Sequence, residues 1–247
     1  MNWILYVLTY LVGIGAGFLN VVAGGGSMLT LPLLTFLGLG IGVANGTNRV
    51  AILLQNIVAT RQFKREKVNV LRKALTLAIP ATLGAIVGTL IVVQIDRNML
   101  QKIVGVLLLA MGAFMISKPS IWEKGLKSKN KNKWLSYLIF FAIGIYGGFI
   151  QAGVSFFFIA ALVLVEGLDL IKTSAAKVTI IAIYTVASLT IFVANGKVDW
   201  IIGFVLAVGN MTGAVLGTKF TILKGAKWIK YVVFVAIIAG AVKFLVF

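Results

Sequence analysis

Stretches of about 17–20 apolar residues recur along this chain, each long enough to cross a hydrocarbon core of roughly 30 Å. No other feature narrows the fold so far. Inside a bilayer the backbone must satisfy its own hydrogen bonds, which leaves helices or a closed barrel. The runs are continuous rather than alternating, which disfavours the barrel. The predicted fold is therefore all-α, a polytopic membrane helix bundle. Composition agrees: 60% of the 247 residues are hydrophobic and 12% are charged, half the globular norm of about 25%. The first run, Trp3–Val22, has no basic leader and no small-x-small cleavage site, so it reads as a retained helix rather than a signal peptide.

A net charge of +17 raises the question of nucleic acid. The cations cluster in short loops between apolar runs, which is the positive-inside pattern of a membrane protein. The chain has no cysteine and no histidine, so disulfides, thiolate metal sites and the commonest proton relay are all excluded. No nucleotide-binding motif is visible, and no paired mid-membrane carboxylates suggest an enzyme. Neither a cofactor nor a metal is expected.

A second pattern organises the chain into halves. Gly13 and Gly17 match Gly144 and Gly148, and Asn20 matches Gln151. Ser27–Val50 then matches Ser155–Val178 without a break, Lys67-Val68 matches Lys197-Val198, and Gly84–Thr89 matches Gly213–Thr218. Loop charge sets the orientation. Residues 61–73 carry Arg61, Lys64, Arg65, Lys67, Arg72 and Lys73 against Glu66, and 118–133 carries six lysines against Glu123. Residues 219–230 carry four lysines and no acid. All three are predicted to be cytoplasmic loops, yet their repeat equivalents, near Asp199 and Asp96, are balanced. Equivalent loops of opposite bias predict inverted halves: 1–117 as the first repeat, 118–133 as a basic linker and 134–247 as the second. Inversion needs an odd number of crossings per half. Val22–Phe63 is long enough for two crossings of about 27–30 Å, so five segments per half are expected, with both termini outside. The competing count is eight full spans plus re-entrant segments.

Each half also carries a glycine break and a cation. Arg49 follows Ser27 by 22 residues, and Lys177 follows Ser155 by 22. Interrupted hydrophobic segments at matching places in two halves point to a transporter's binding site. Gly24, Gly25 and Gly26 let the chain leave helical geometry, Ser27 suits an N-cap, and a helix start is a ready anion site. The second break, around Gly153, keeps one glycine of the three and is expected to be milder. A cation within the membrane defaults to a functional role, and arginine grips oxyanions with two donors. The predicted substrate-binding set is Asn20, Gly24, Gly25, Gly26, Ser27, Asn45, Thr47, Asn48 and Arg49 from the first half, and Gln151, Ser155 and Lys177 from the second. Among the few acids, Glu166 is the only reasonable carboxylate for a proton relay. Arg49→Ala is expected to stop transport with folding near normal, and Gly25→Ala to weaken binding with little loss of melting temperature.

Gly15-Ala16-Gly17-Phe18, Ala23-Gly24-Gly25-Gly26-Ser27, Pro32 and Ala44-Asn45-Gly46-Thr47-Asn48-Arg49 together resemble the TauE/SafE family of sulfite exporters. Tyr146-Gly147-Gly148-Phe149 and Ala175-Ala176-Lys177 are similar to its degenerate second repeat. The resemblance implies a multi-pass inner-membrane permease for small anions such as sulfite, organosulfonates or related sulfur and carboxylate compounds. The expected partners are that anion, the lipid bilayer and a coupling ion, proton or sodium. Rival readings are a small-anion channel and a non-transport membrane assembly factor.

Overall fold

The computed structural model describes residues 3–96, 98–100 and 133–246, with side chains described as far as residue 224. Every long element among them is a helix. In chain order these are α1 (Trp3–Val22), α2 (Ser27–Phe36), α3 (Ile41–Arg65), α4 (Leu71–Gln94), α5 (Lys133–Phe149), α6 (Val154–Leu164), α7 (Leu170–Ala194) and α8 (Trp200–Val246). Four are long and apolar enough to cross a membrane: α1, α4, α7 and the Trp200–Lys224 part of α8. α3 has the length, but its first turns carry Asn45, Thr47, Asn48 and Arg49. The five acids among the described residues all lie outside the eight helices. Asp169 caps α7, accepting from the Lys172 amide at 2.8 Å and pairing with the Lys172 ammonium at 3.2 Å. Partial burial alone raises its carboxyl, but the bonds from Lys172 outweigh that and the net shift is downward.

Glycines let the helices touch backbone to backbone, the small-residue packing that membrane helices use in place of a hydrophobic driving force. A Cβ added at Gly17 would strike the Asn210 carbonyl, and one at Gly213 the Ile14 carbonyl. In the same way Gly88 lies against the Ile145 carbonyl and Gly148 against that of Ala85. α1 thus packs on α8 as α5 packs on α4. Each contact joins the first helix of one half to the fourth helix of the other.

These contacts also fix direction. Gly13 meets Leu206 and Gly217 meets Phe18, so α1 and α8 run parallel. Thr47 meets Asp199 and Gln55 meets Asn210, so α3 runs with them. Gly84 meets Phe141 and Gly88 meets Ile145, so α4 and α5 run parallel, and the Thr89–Ser188 and Val93–Lys197 bonds add α7 to that set. Gly46 packs on Phe192 while Thr60 bonds Thr179, so α3 and α7 are antiparallel. Because α1 and α3 share a direction, the chain between Val22 and Ile41 returns through the bundle. The return is shorter than two full crossings predict. α2 has 10 residues and α6 has 11, about 15–17 Å of helix; turns at 23–26 and 37–40 supply the rest of the first return.

One expectation fails outright. Residues 219–230 are not a loop: α8 runs unbroken for 47 residues, Trp200–Val246. The stretch holds one glycine, Gly225, and no proline or turn cluster, and lysine is a good helix former. Charge alone therefore marks where the helix becomes polar without ending it. Residues 118–132 of the basic linker 118–133 and the fifth segment of the first half lie outside the described residues, while Lys133 opens α5.

Candidate functional site

The two breaks meet. Gly24 packs against the Ser155 side chain and Gly25 against the Phe156 ring, so the tips of both interrupted segments touch in the bundle interior. The breaks are equally sharp. Gly24 and Gly25 have φ of 96° and 89°; Gln151 and Gly153 have φ of 61° and 72°. The expectation of a milder second break fails because Gln151, a non-glycine, itself takes the left-handed conformation. Such strain persists where surroundings over-determine it, and Gln151 is held by Arg49 and Tyr184. Ser27 is not the N-cap of α2. That position is Gly26, and the Ser27 hydroxyl instead accepts from Asn48 Nδ2 at 3.2 Å.

Arg49 and Lys177 are each 0% exposed. Arg49 Nη1 donates to the Gly147 carbonyl at 2.7 Å and to Gln151 Oε1 at 2.6 Å. Its Nη2 donates to the Gly148 carbonyl at 2.8 Å and, weakly, to Asn45 Oδ1 at 3.4 Å. Nε has no partner, and the guanidinium lies 5.5 Å from the centre of the Phe192 ring. Lys177 Nζ donates to the carbonyls of Asn20 and Val21 at 2.9 and 3.0 Å. Each cation therefore sits at the C-terminal end of the other half's glycine-broken helix, where carbonyls are unsatisfied and the helix dipole is negative. Among the described residues no carboxylate pairs with either.

The remaining predicted residues form a buried polar file. Asn45 Nδ2 donates to the Phe149 carbonyl at 2.7 Å, and Asn48 Oδ1 accepts from Thr30 at 2.8 Å. Asn20 Nδ2 and Asn210 Nδ2 both donate to Gln55 Oε1, at 3.2 and 2.9 Å. Thr47 lies toward one end of α3, accepting from the Asp199 amide at 2.9 Å. Arg49, Asn45 and Gln151 come together, as do Lys177 and Asn20, but the two cations do not. With Phe192 opposite Gly46 and Thr179 opposite Thr60, Arg49 and Lys177 stand at levels about 20 Å apart along the bundle. Sequence reasoning missed Thr30, Asn210 and Tyr184, whose hydroxyl donates to Gln151 Oε1 at 2.9 Å. Tyr184 follows Lys177 by one heptad on α7, and that shared face was the available signal. Glu166 stands at a bundle end, paired with Lys73 at 2.9 Å and accepting from Ser136.

The geometry changes the expected outcome at Gly25. A side chain there would meet left-handed backbone and a Phe156 ring carbon 3.0 Å away. Gly25→Ala is expected to lose roughly 1–2 kcal/mol of stability from the backbone alone, visible as a lower melting temperature of the purified protein. An unchanged melting temperature would contradict the placement of this turn.

Comparisons of sequence place the chain among membrane transporters. The family model for the sulfite exporter TauE/SafE matches residues 9–244. A probable membrane transporter protein of Haemophilus influenzae is 30% identical over 231 residues, covering 92% of this chain and 89% of its own length. The probable membrane transporter protein YfcA of Escherichia coli is 29% identical, covering 90% of this chain and 82% of its own. A probable membrane transporter protein of a Sinorhizobium species is 28% identical, covering 93% and 88%. No solved structure matches. With the family model matching nearly its whole length, the chain belongs to the TauE/SafE family of membrane transporters.

Proposed function

We propose that this protein carries small anions of the sulfite and organosulfonate class across the cell membrane by gradient-driven alternating access. The observation that supports this reading best is electrostatic. Arg49 and Lys177 are fully buried, their hydrogen-bond partners among the described residues are all neutral oxygens, and no described helix carries a carboxylate. Desolvating an uncompensated charge costs several kcal/mol, and an anionic cargo is the partner that offsets it.

Arg49 would hold the anion through its open Nε and the Nη2 hydrogen that reaches only weakly to Asn45 Oδ1, with Asn45 and Gln151 beside it. The Gly147 and Gly148 carbonyls now occupy the rest of the fork, so binding and release would exchange anion oxygens for helix-end carbonyls. Lys177 would act in the same way at its own level. The antiparallel pairing of α3 with α7 supports inverted halves, which rock about the meeting point of the two breaks. The basic end, with Lys64, Lys67, Arg72 and Lys73, would be cytoplasmic. On a cysteine-free background, Lys224→Cys in intact cells should be protected from an impermeant thiol reagent and Asp96→Cys labelled; the reverse pattern would overturn this orientation. A melting-temperature screen against sulfite, thiosulfate, organosulfonates and small carboxylates tests the cargo class, because a ligand of the folded state raises apparent stability. No shift with any of them at millimolar concentration would count against it.

A further inference from the structure

A cavity of about 360 Å³ opens at the basic end, between the last turns of α3 and the first turns of α7. Its walls include Thr60, Lys64, Lys67 and Asn69 from the first half and Ala175 and Thr179 from the second. The Thr60 and Thr179 hydroxyls, 3.3 Å apart, bridge the halves along its inner wall, and Thr179 lies two residues beyond Lys177 on α7. Among the described residues neither Lys64 nor Lys67 has a side-chain hydrogen bond or ion pair. Among the described residues no acid lines the cavity.

The backbone at Lys67 adds an independent observation. α3 ends with Val68 N–H bonding the Phe63 carbonyl and Lys67 N–H bonding the Lys64 carbonyl, each at 3.1 Å, and Lys67 has φ of 60°. α7 ends in the same way: Lys197 N–H bonds Phe192, Gly196 N–H bonds Val193, each at 2.9 Å, and Gly196 has φ of 64°. The turn geometry therefore sets Lys67 against Gly196, one residue off the Lys67–Lys197 match read from sequence. Glycine is the usual occupant of this left-handed position after a helix, and any other residue is strained there. The first half keeps a lysine where glycine is cheaper, and that lysine faces the cavity.

We propose that this cavity is a binding station for a small oxyanion of the cargo class at the basic mouth of the transporter, with Lys64 and Lys67 supplying charge and Thr60, Thr179 and Asn69 supplying hydrogen bonds. The assignment rests on the anion-transport reading above. Lys67→Gly tests it cleanly, because it copies Gly196 and relieves strain rather than risking the fold. Melting temperatures of the full-length purified protein are measured against a sulfite titration, at ionic strength held constant with chloride. The expected result is a higher melting temperature without sulfite, together with a rise of roughly three- to tenfold in the half-saturating sulfite concentration, since tenfold corresponds to one strong charge contact. Lys64→Gln should act in the same direction. An unchanged half-saturation in both variants would overturn the station. If wild type still exchanges sulfite in vesicles, the transport reading survives that loss. Wild type that neither is stabilised by sulfite nor exchanges it would remove both.

Discussion

Arg49→Ala is expected to abolish anion flux and to destabilise the folded bundle, by roughly 1–3 kcal/mol for each buried acceptor left unpaired, offset in part by removal of a desolvated charge. The substitution leaves the Gly147 carbonyl and Asn45 Oδ1 without their side-chain donor, while the Gly148 carbonyl keeps Thr89 and Gln151 Oε1 keeps Tyr184. Buried acceptors deprived of a partner lose their full desolvation energy. The sequence alone suggests normal folding for this variant; the structure shows the same side chain tying α3 of one half to α5 of the other. Arg49→Lys separates the two roles. An ammonium keeps the charge and can reach one carbonyl, but it lacks the planar fork. Its melting temperature should lie between wild type and Arg49→Ala, with flux near the alanine level. Melting and flux measured on the same preparations check this. Wild-type flux in Arg49→Ala would remove Arg49 from the mechanism.

Gly148→Ala is expected to have the next largest effect, about 3 kcal/mol or more, at or beyond the usual range for overpacking. Its Cβ would overlap the Ala85 carbonyl, forcing α5 away from α4. The Gly148 carbonyl also accepts from Arg49 Nη2 at 2.8 Å and from Thr89 at 3.1 Å, so displacing it disturbs the site as well. Gly15→Ala is the matched control. Gly15 lies in α1 with nothing within 4 Å of an added Cβ, and alanine there should be neutral or stabilising by roughly 0.5–1 kcal/mol. Equal losses in the two variants would mean that close approach to the Ala85 carbonyl does not set the cost at Gly148.

Much of this architecture was legible because the bilayer restricts the choices. Apolar run length gave α1, α4 and α7, and the matched glycines Gly13, Gly17, Gly84 and Gly88 marked the faces that pack. The glycine breaks and the two cations were found by their equal spacing. The partners of those cations were not legible. Spacing places Arg49 and Lys177 on corresponding turns, but only the antiparallel pairing of α3 with α7 separates them by about 20 Å of helix rise. The left-handed backbone at Gln151 and Lys67 was invisible for a related reason: non-glycine residues give no local signal for positive φ. The course of residues 219–230 was misread because a run of lysines marks the membrane boundary and says nothing about whether a helix stops there.

The central claim is that the buried cations serve a mobile anion through a carrier cycle. Counterflow tests it most directly: wild-type protein in sealed vesicles preloaded with unlabelled organosulfonate, with trace radiolabelled organosulfonate outside and no other gradient. The account predicts transient accumulation of label above its outside concentration, absent in Arg49→Lys. Label that only equilibrates passively, or accumulation that persists unchanged in Arg49→Lys, would contradict it.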